Sequence, residues 1–72
     1  MNVSQFEQSF GSLTSQYNDM KAMNMQVARD AYVRNFYEAR NKFVDQMNQT
    51  GDIATRDSVS THYQNMLESN VR

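Results

Sequence analysis

Between Leu13 and Met47 the chain reads LTSQYNDMKAMNMQVARDAYVRNFYEARNKFVDQM, a stretch without Pro or Gly. Neither of the two strongest helix breakers interrupts it, and apolar residues recur at helical spacing throughout. The pattern predicts one long α-helix, from about Ser4 to Gln49 once its flanks are included. The rest of the chain would be arranged to cover its sides.

Upstream, the apolar positions are Val3, Phe6, Phe10, Leu13, Tyr17 and Met20. Their intervals alternate three and four, which is the a/d pattern of a coiled-coil seam. Asn24, Val27 and Ala31 continue the register. Asn24 reads either as a buried a-position Asn that fixes register, or as a polar residue left exposed where the seam ends. From Met25 onward the stripe moves to Val33, Phe36, Phe43, Val44 and Met47, with Tyr32 and Tyr37 on its flanks. At 100° per residue its centre lies well over a quarter-turn from the first seam. One helix would thus present two apolar faces in two directions.

The ends carry recognisable signals. Ser4-Gln5-Phe6-Glu7 matches a capping box, so the helix is expected to begin near Ser4. Gly11, beside Ser12, marks the expected kink, at about 1 kcal/mol relative to Ala. A bend near Asn18-Asp19 or Asn24 would turn the chain into a three-helix bundle, but neither site carries a strong breaker. Gly51 suits a left-handed C′ position and Asp52 an N-cap, which predicts a turn over 50–52 and a second helix over about 53–70. Its core positions would be Ile53, Val59, Tyr63, Met66, Leu67 and Val71. So short a connection predicts an antiparallel hairpin. The expected fold is therefore all-α, one helical domain over 1–72, with a hairpin core of Val33, Phe36, Phe43, Val44, Met47, Val59, Tyr63, Met66 and Leu67.

Charge supports the helix without defining a polyanion surface. Asp30 precedes Arg34 by four and Glu38 precedes Lys42 by four, pairs worth a few tenths of a kcal/mol each. Seven Lys and Arg against eight Asp and Glu give a net charge of −1, where a nucleic-acid binder shows a basic excess. Arg29, Arg40 and Arg56 project onto apolar stripes. They either lay their stems along the stripe and carry the charge to water, or pair with an acidic group of a partner.

Little in the sequence supports chemistry. There is no Cys and a single His, which leaves no disulfide and no zinc cluster. Ser58 and His62 are four apart with Asp57 adjacent, but neighbours on one helix surface do not give the geometry of a triad. Gly11 and Gly51 form no phosphate loop. The six Met read as adaptable core filler. No apolar run reaches the ~18–20 residues of a membrane span, and no cleaved secretory signal is visible. The expectation is a protein without cofactors or metal, cytoplasmic or exported without a cleaved signal.

A helix from Ser4 to Gln49 would be about 69 Å long, and the second helix about 28 Å. The shorter could cover less than half of the longer. That leaves Val3, Phe6, Phe10, Leu13, Tyr17, Met20 and Asn24 as an interaction seam for another copy or a helical partner protein. The expected function is a small non-enzymatic structural or interaction protein, a homo-oligomer or part of a hetero-complex. In size and in its Ser/Gln-rich amphipathic N-terminus it resembles small helical parts of bacterial secretion machines, namely needle subunits and their hairpin co-chaperones. It lacks the Pro-containing central turn common in needle subunits. The composition also suits a phage protein. The alternatives are a small dimeric nucleic-acid-binding regulator, and an inhibitor or adaptor that binds one host protein.

Overall fold

Asn2 opens the first helix. Its Oδ1 accepts from the Gln5 amide at 2.8 Å, and Gln5 Oε1 accepts from the Asn2 amide at 2.9 Å. The capping box thus lies two residues before the expected Ser4–Glu7 box, because Asn caps as well as Ser and captures the start. The computed structural model describes residues 1–72 as three α-helices and no strand: α1, Val3–Met20; α2, Met25–Thr50; α3, Ile53–Asn70. Gly11 does not kink α1. It sits exposed within an unbroken helix.

The long helix expected over 4–49 is instead two helices. Lys21 keeps helical dihedrals, whereas Asn24 is extended, at φ −155° and ψ 100°. Asn24 Oδ1 caps α2 by accepting from the Val27 amide at 3.1 Å. The Met20 carbonyl accepts from both the Met23 and Asn24 amides and closes the turn.

The reason for the break is tertiary. A continuous helix would retain about four more backbone bonds, each worth about 0.5–1.5 kcal/mol net. Folding back takes Phe6, Phe10 and Tyr17 to 5 % exposure or less, and each large apolar side chain buried contributes roughly 1.5–3 kcal/mol. The cap and turn recover part of the lost ladder, so burial prevails. The two stripes that diverged on a single helix now belong to two helices that face each other.

α1 runs antiparallel to α2. The Met1 amino group donates to Gln46 Oε1, Phe6 stacks on Phe43, and Tyr17 stacks on Tyr32 with ring centroids 4.7 Å apart. α2 ends at Gly51, whose φ of 79° is the one left-handed residue of the chain. Asp52 then caps α3 through the Thr55 amide. α3 returns antiparallel along α2, from Arg56 beside Asn48 to Asn70 beside Tyr32. The bundle measures 42 × 18 × 16 Å.

The core is largely aromatic. Phe6 and Phe10 lie between Phe36 and Phe43 of α2 and Tyr63 of α3, with centroid distances of 4.8–6.0 Å. Met47, Leu67 and Ala28 complete it. Tyr32 joins all three helices. Its hydroxyl lies 2.7 Å from Thr14 Oγ1 and accepts from Asn70 Nδ2 at 3.0 Å.

Candidate interaction surface

The seam assigned to a partner is mostly used inside the chain, which corrects the expectation that it has no intrachain cover. Phe6, Phe10 and Tyr17 are buried, and Val3 and Leu13 pack against the core. Met20 stays 39 % exposed, and Asn24 is an exposed cap. Of the hairpin core positions, Phe36, Phe43, Met47 and Leu67 are buried, while Val33, Val44, Val59 and Tyr63 are half-buried. Met66 is 40 % exposed and Ile53 43 %, because α3 turns both away from the aromatic core.

The three arginines find different surroundings. Arg29 is exposed. Arg56 donates from Nε to Asp57 at 2.8 Å and from Nη1 to Asn48 Oδ1 at 2.6 Å, tying the first turn of α3 to the end of α2. The Arg56 hydrogen bond, with the nearby charges of Arg56 and Arg40, holds the Asp57 carboxyl below its usual range. Arg40 forms no salt bridge within the chain. Arg40 Nε and Ser60 Oγ are buried without hydrogen-bond partners.

Two residues of the buried set escaped the sequence reading. Ala28 is too small to register in an apolar stripe, and Ser60, 3 % exposed, is polar. His62 is exposed and packs edge-on against Tyr63. A shallow groove of about 750 Å³ runs between α1 and α2, lined mainly by polar side chains that include Gln5, Gln8, Ser12, Asn35, Glu38 and Lys42.

The exposed large apolar side chains concentrate elsewhere. Met23 is 87 % exposed, Val27 51 %, Met25 48 % and Met20 39 %, and all four sit at the corner joining α1 to α2. α3 ends beside Tyr32, so the N-terminal two turns of α2, roughly 10 Å at ~1.5 Å per residue, extend past it. The corner is a free end of the bundle. These Met are not core filler; the one deeply buried Met is Met47. Met25 is held in place, its Sδ accepting from the Tyr17 hydroxyl at 3.4 Å.

No helix is long and apolar enough to cross a membrane. No protein-family model, curated protein or solved structure compared with the chain matches it.

Proposed function

We propose that this chain is a non-enzymatic helical interaction protein whose contact surface is the α1–α2 corner. The observation that carries this reading is the cluster of exposed Met20, Met23, Met25 and Val27 at an end that α3 does not reach. Clustered exposed apolar side chains mark contact surfaces, and Met adapts its shape to the surface it meets. The corner takes over the role first assigned to the Val3–Met20 seam, since most of that seam is spent on the core. The likeness to needle subunits and hairpin co-chaperones rested on size and on the Ser/Gln-rich amphipathic N-terminus, and no matching family or structure adds support to it.

The nucleic-acid reading gains nothing from the geometry. Arg29 and Arg34 lie about 140° apart around α2 at 100° per residue, and Arg56 is engaged within the chain.

A photo-activated cross-linking residue placed at Met23, and separately at exposed Ser58, tests the proposal. Labelling of one discrete protein, or of a second copy, from position 23 alone supports it. Equal labelling from both positions, or none from position 23, overturns it.

A further inference from the structure

We infer that the α1–α2 corner is a binding site for a soft monovalent cation, Cu(I), held by the thioether sulfurs of Met20, Met23 and Met25. The inference goes beyond the contact-surface reading. It concerns the sulfur atoms rather than the apolar area, and it stands whether or not a protein docks there.

Half of the six Met fall within six consecutive residues, Met20-Lys21-Ala22-Met23-Asn24-Met25. Met at helical spacing is usually core, but the structure removes that reading for these three. They are 39 %, 87 % and 48 % exposed, against 8 % for Met47.

The fold brings them together. The Met20 carbonyl accepts from the Met23 amide at 2.9 Å and from the Asn24 amide at 3.0 Å. A turn closed in this way holds the α-carbons of its first and fourth residues within about 7 Å. Met23 and Met25 are two residues apart, again at most about 7 Å. Met25 is turned back toward α1, its Sδ accepting from the Tyr17 hydroxyl at 3.4 Å. Met20 borders, with Tyr17, Ala28 and Tyr32, the shallow depression between α1 and α2. Two of the thioethers therefore stand beside Tyr17, and the third is on the turn between them. Three rotatable bonds in each side chain let the sulfurs converge on one ion without moving the backbone.

The donor set selects the ion. The chain has no Cys and no group of three His, Asp or Glu able to hold a metal, so Zn(II), Mg(II) and Ca(II) lack their usual ligands. Thioether sulfur is soft and suits Cu(I). The Tyr17 hydroxyl engages one lone pair of the Met25 sulfur and leaves the other for the ion. Lys21 lies over the Tyr17 ring, its Nζ 5.5 Å from the centroid. It repels a monovalent ion half as strongly as a divalent one.

Ag(I) shares the charge and softness of Cu(I) and is stable in air, so it is the first probe. It is added as the nitrate in chloride-free buffer and followed by titration calorimetry. Cu(I) is then tested without oxygen, in competition with a chromogenic Cu(I) chelator. One equivalent of each should bind. Met→Leu conserves volume and helix propensity, so Met20→Leu, Met23→Leu and Met25→Leu should each keep the helix content. Each should weaken binding by roughly tenfold or more, since loss of even an outer-shell partner costs that much. Met66→Leu, at the exposed Met of α3, should leave binding unchanged. Affinity should stay flat from about pH 5 to 8, where imidazole changes charge, because a thioether has no proton to lose. A wild type that binds neither ion overturns the site, as does a triple Leu variant that binds like the wild type. Equal binding of Zn(II) overturns it too, and so does loss of binding in acid, which would assign the ion to His62. Cross-linking from position 23 is read without metal, so the contact surface and the cation site stand or fall separately.

Discussion

The rings of Phe6 and Phe43 stack with centroids 4.8 Å apart and planes 14° from parallel. On one continuous helix at ~1.5 Å per residue the same residues would lie about 56 Å apart. Both are fully buried, and Tyr63 closes edge-on against Phe6 from α3. This contact joins α1 to α2 and brings α3 onto the pair.

Phe6→Ala and Phe43→Ala should each cost about 3–5 kcal/mol, comparable to the whole stability of so small a domain. Thermal melts followed by circular dichroism should show both variants largely unfolded at room temperature. Leu substitutions at the same positions should retain a cooperative transition. Were Phe6→Ala to melt like the wild type, α1 would not be folded against α2.

The two glycines should respond with opposite signs. A Cβ at Gly11 meets nothing within 4 Å and the helix is unbroken there, so Gly11→Ala should stabilise by about 0.5–1 kcal/mol. Gly51 has equal room but a φ of 79°, and Gly51→Ala should destabilise by roughly 1–2 kcal/mol. Urea midpoints measured side by side decide this, with no change expected in the slope of either transition.

Ser60 is buried with its hydroxyl unpartnered. Ser60→Ala removes a desolvated polar group without changing the shape of the site much, and it supplies a better helix former. Stability should be unchanged or higher by about 1 kcal/mol. A loss of that size would mean that the hydroxyl is satisfied in solution, and Ser60→Thr and Ser60→Cys would then separate hydrogen bonding from volume.

Stability should fall at both ends of the pH range. Burial first, then the neighbouring Glu7 carboxylate, raises the Tyr63 phenol above its ordinary value. A raised folded-state value contributes stability that is fully present below about pH 10 and lost as pH climbs beyond it. Tyr63→Phe should remove that alkaline loss, read by thermal melts with the tyrosinate absorbance followed in parallel. In acid, Asp52, held low by its hydrogen bonds to Thr55, and Asp57, held low chiefly by Arg56, act in the opposite sense. Their small contributions are present above about pH 4 and vanish as pH falls through the carboxylate range. Asp52→Asn, which still caps, should keep the melt but lose part of this acid dependence.

Local signals sufficed where the deciding free energy is local. The helical spacing of apolar residues, the absence of Pro, the left-handed Gly51 and the Asp52 cap dictate an all-helical chain with a turn at 51–52 and a helix after it. Each depends on residues within one or two turns of each other, so the one-dimensional string holds the whole interaction. The seam from Val3 to Met20 was equally plain as an apolar face, but the string does not say what covers it. That was decided at Asn24. Lys21, Ala22 and Met23 favour continuing the helix, and Asn24 can cap a new helix or ride on a long one, so the local balance is close. Stacking of Phe6 on Phe43 and of Tyr17 on Tyr32 tips it, through contacts between residues far apart in the chain. Tertiary packing also buried Ser60 and left Met20, Met23, Met25 and Val27 at a free corner, because α3 ends beside Tyr32 and does not reach the top of α2.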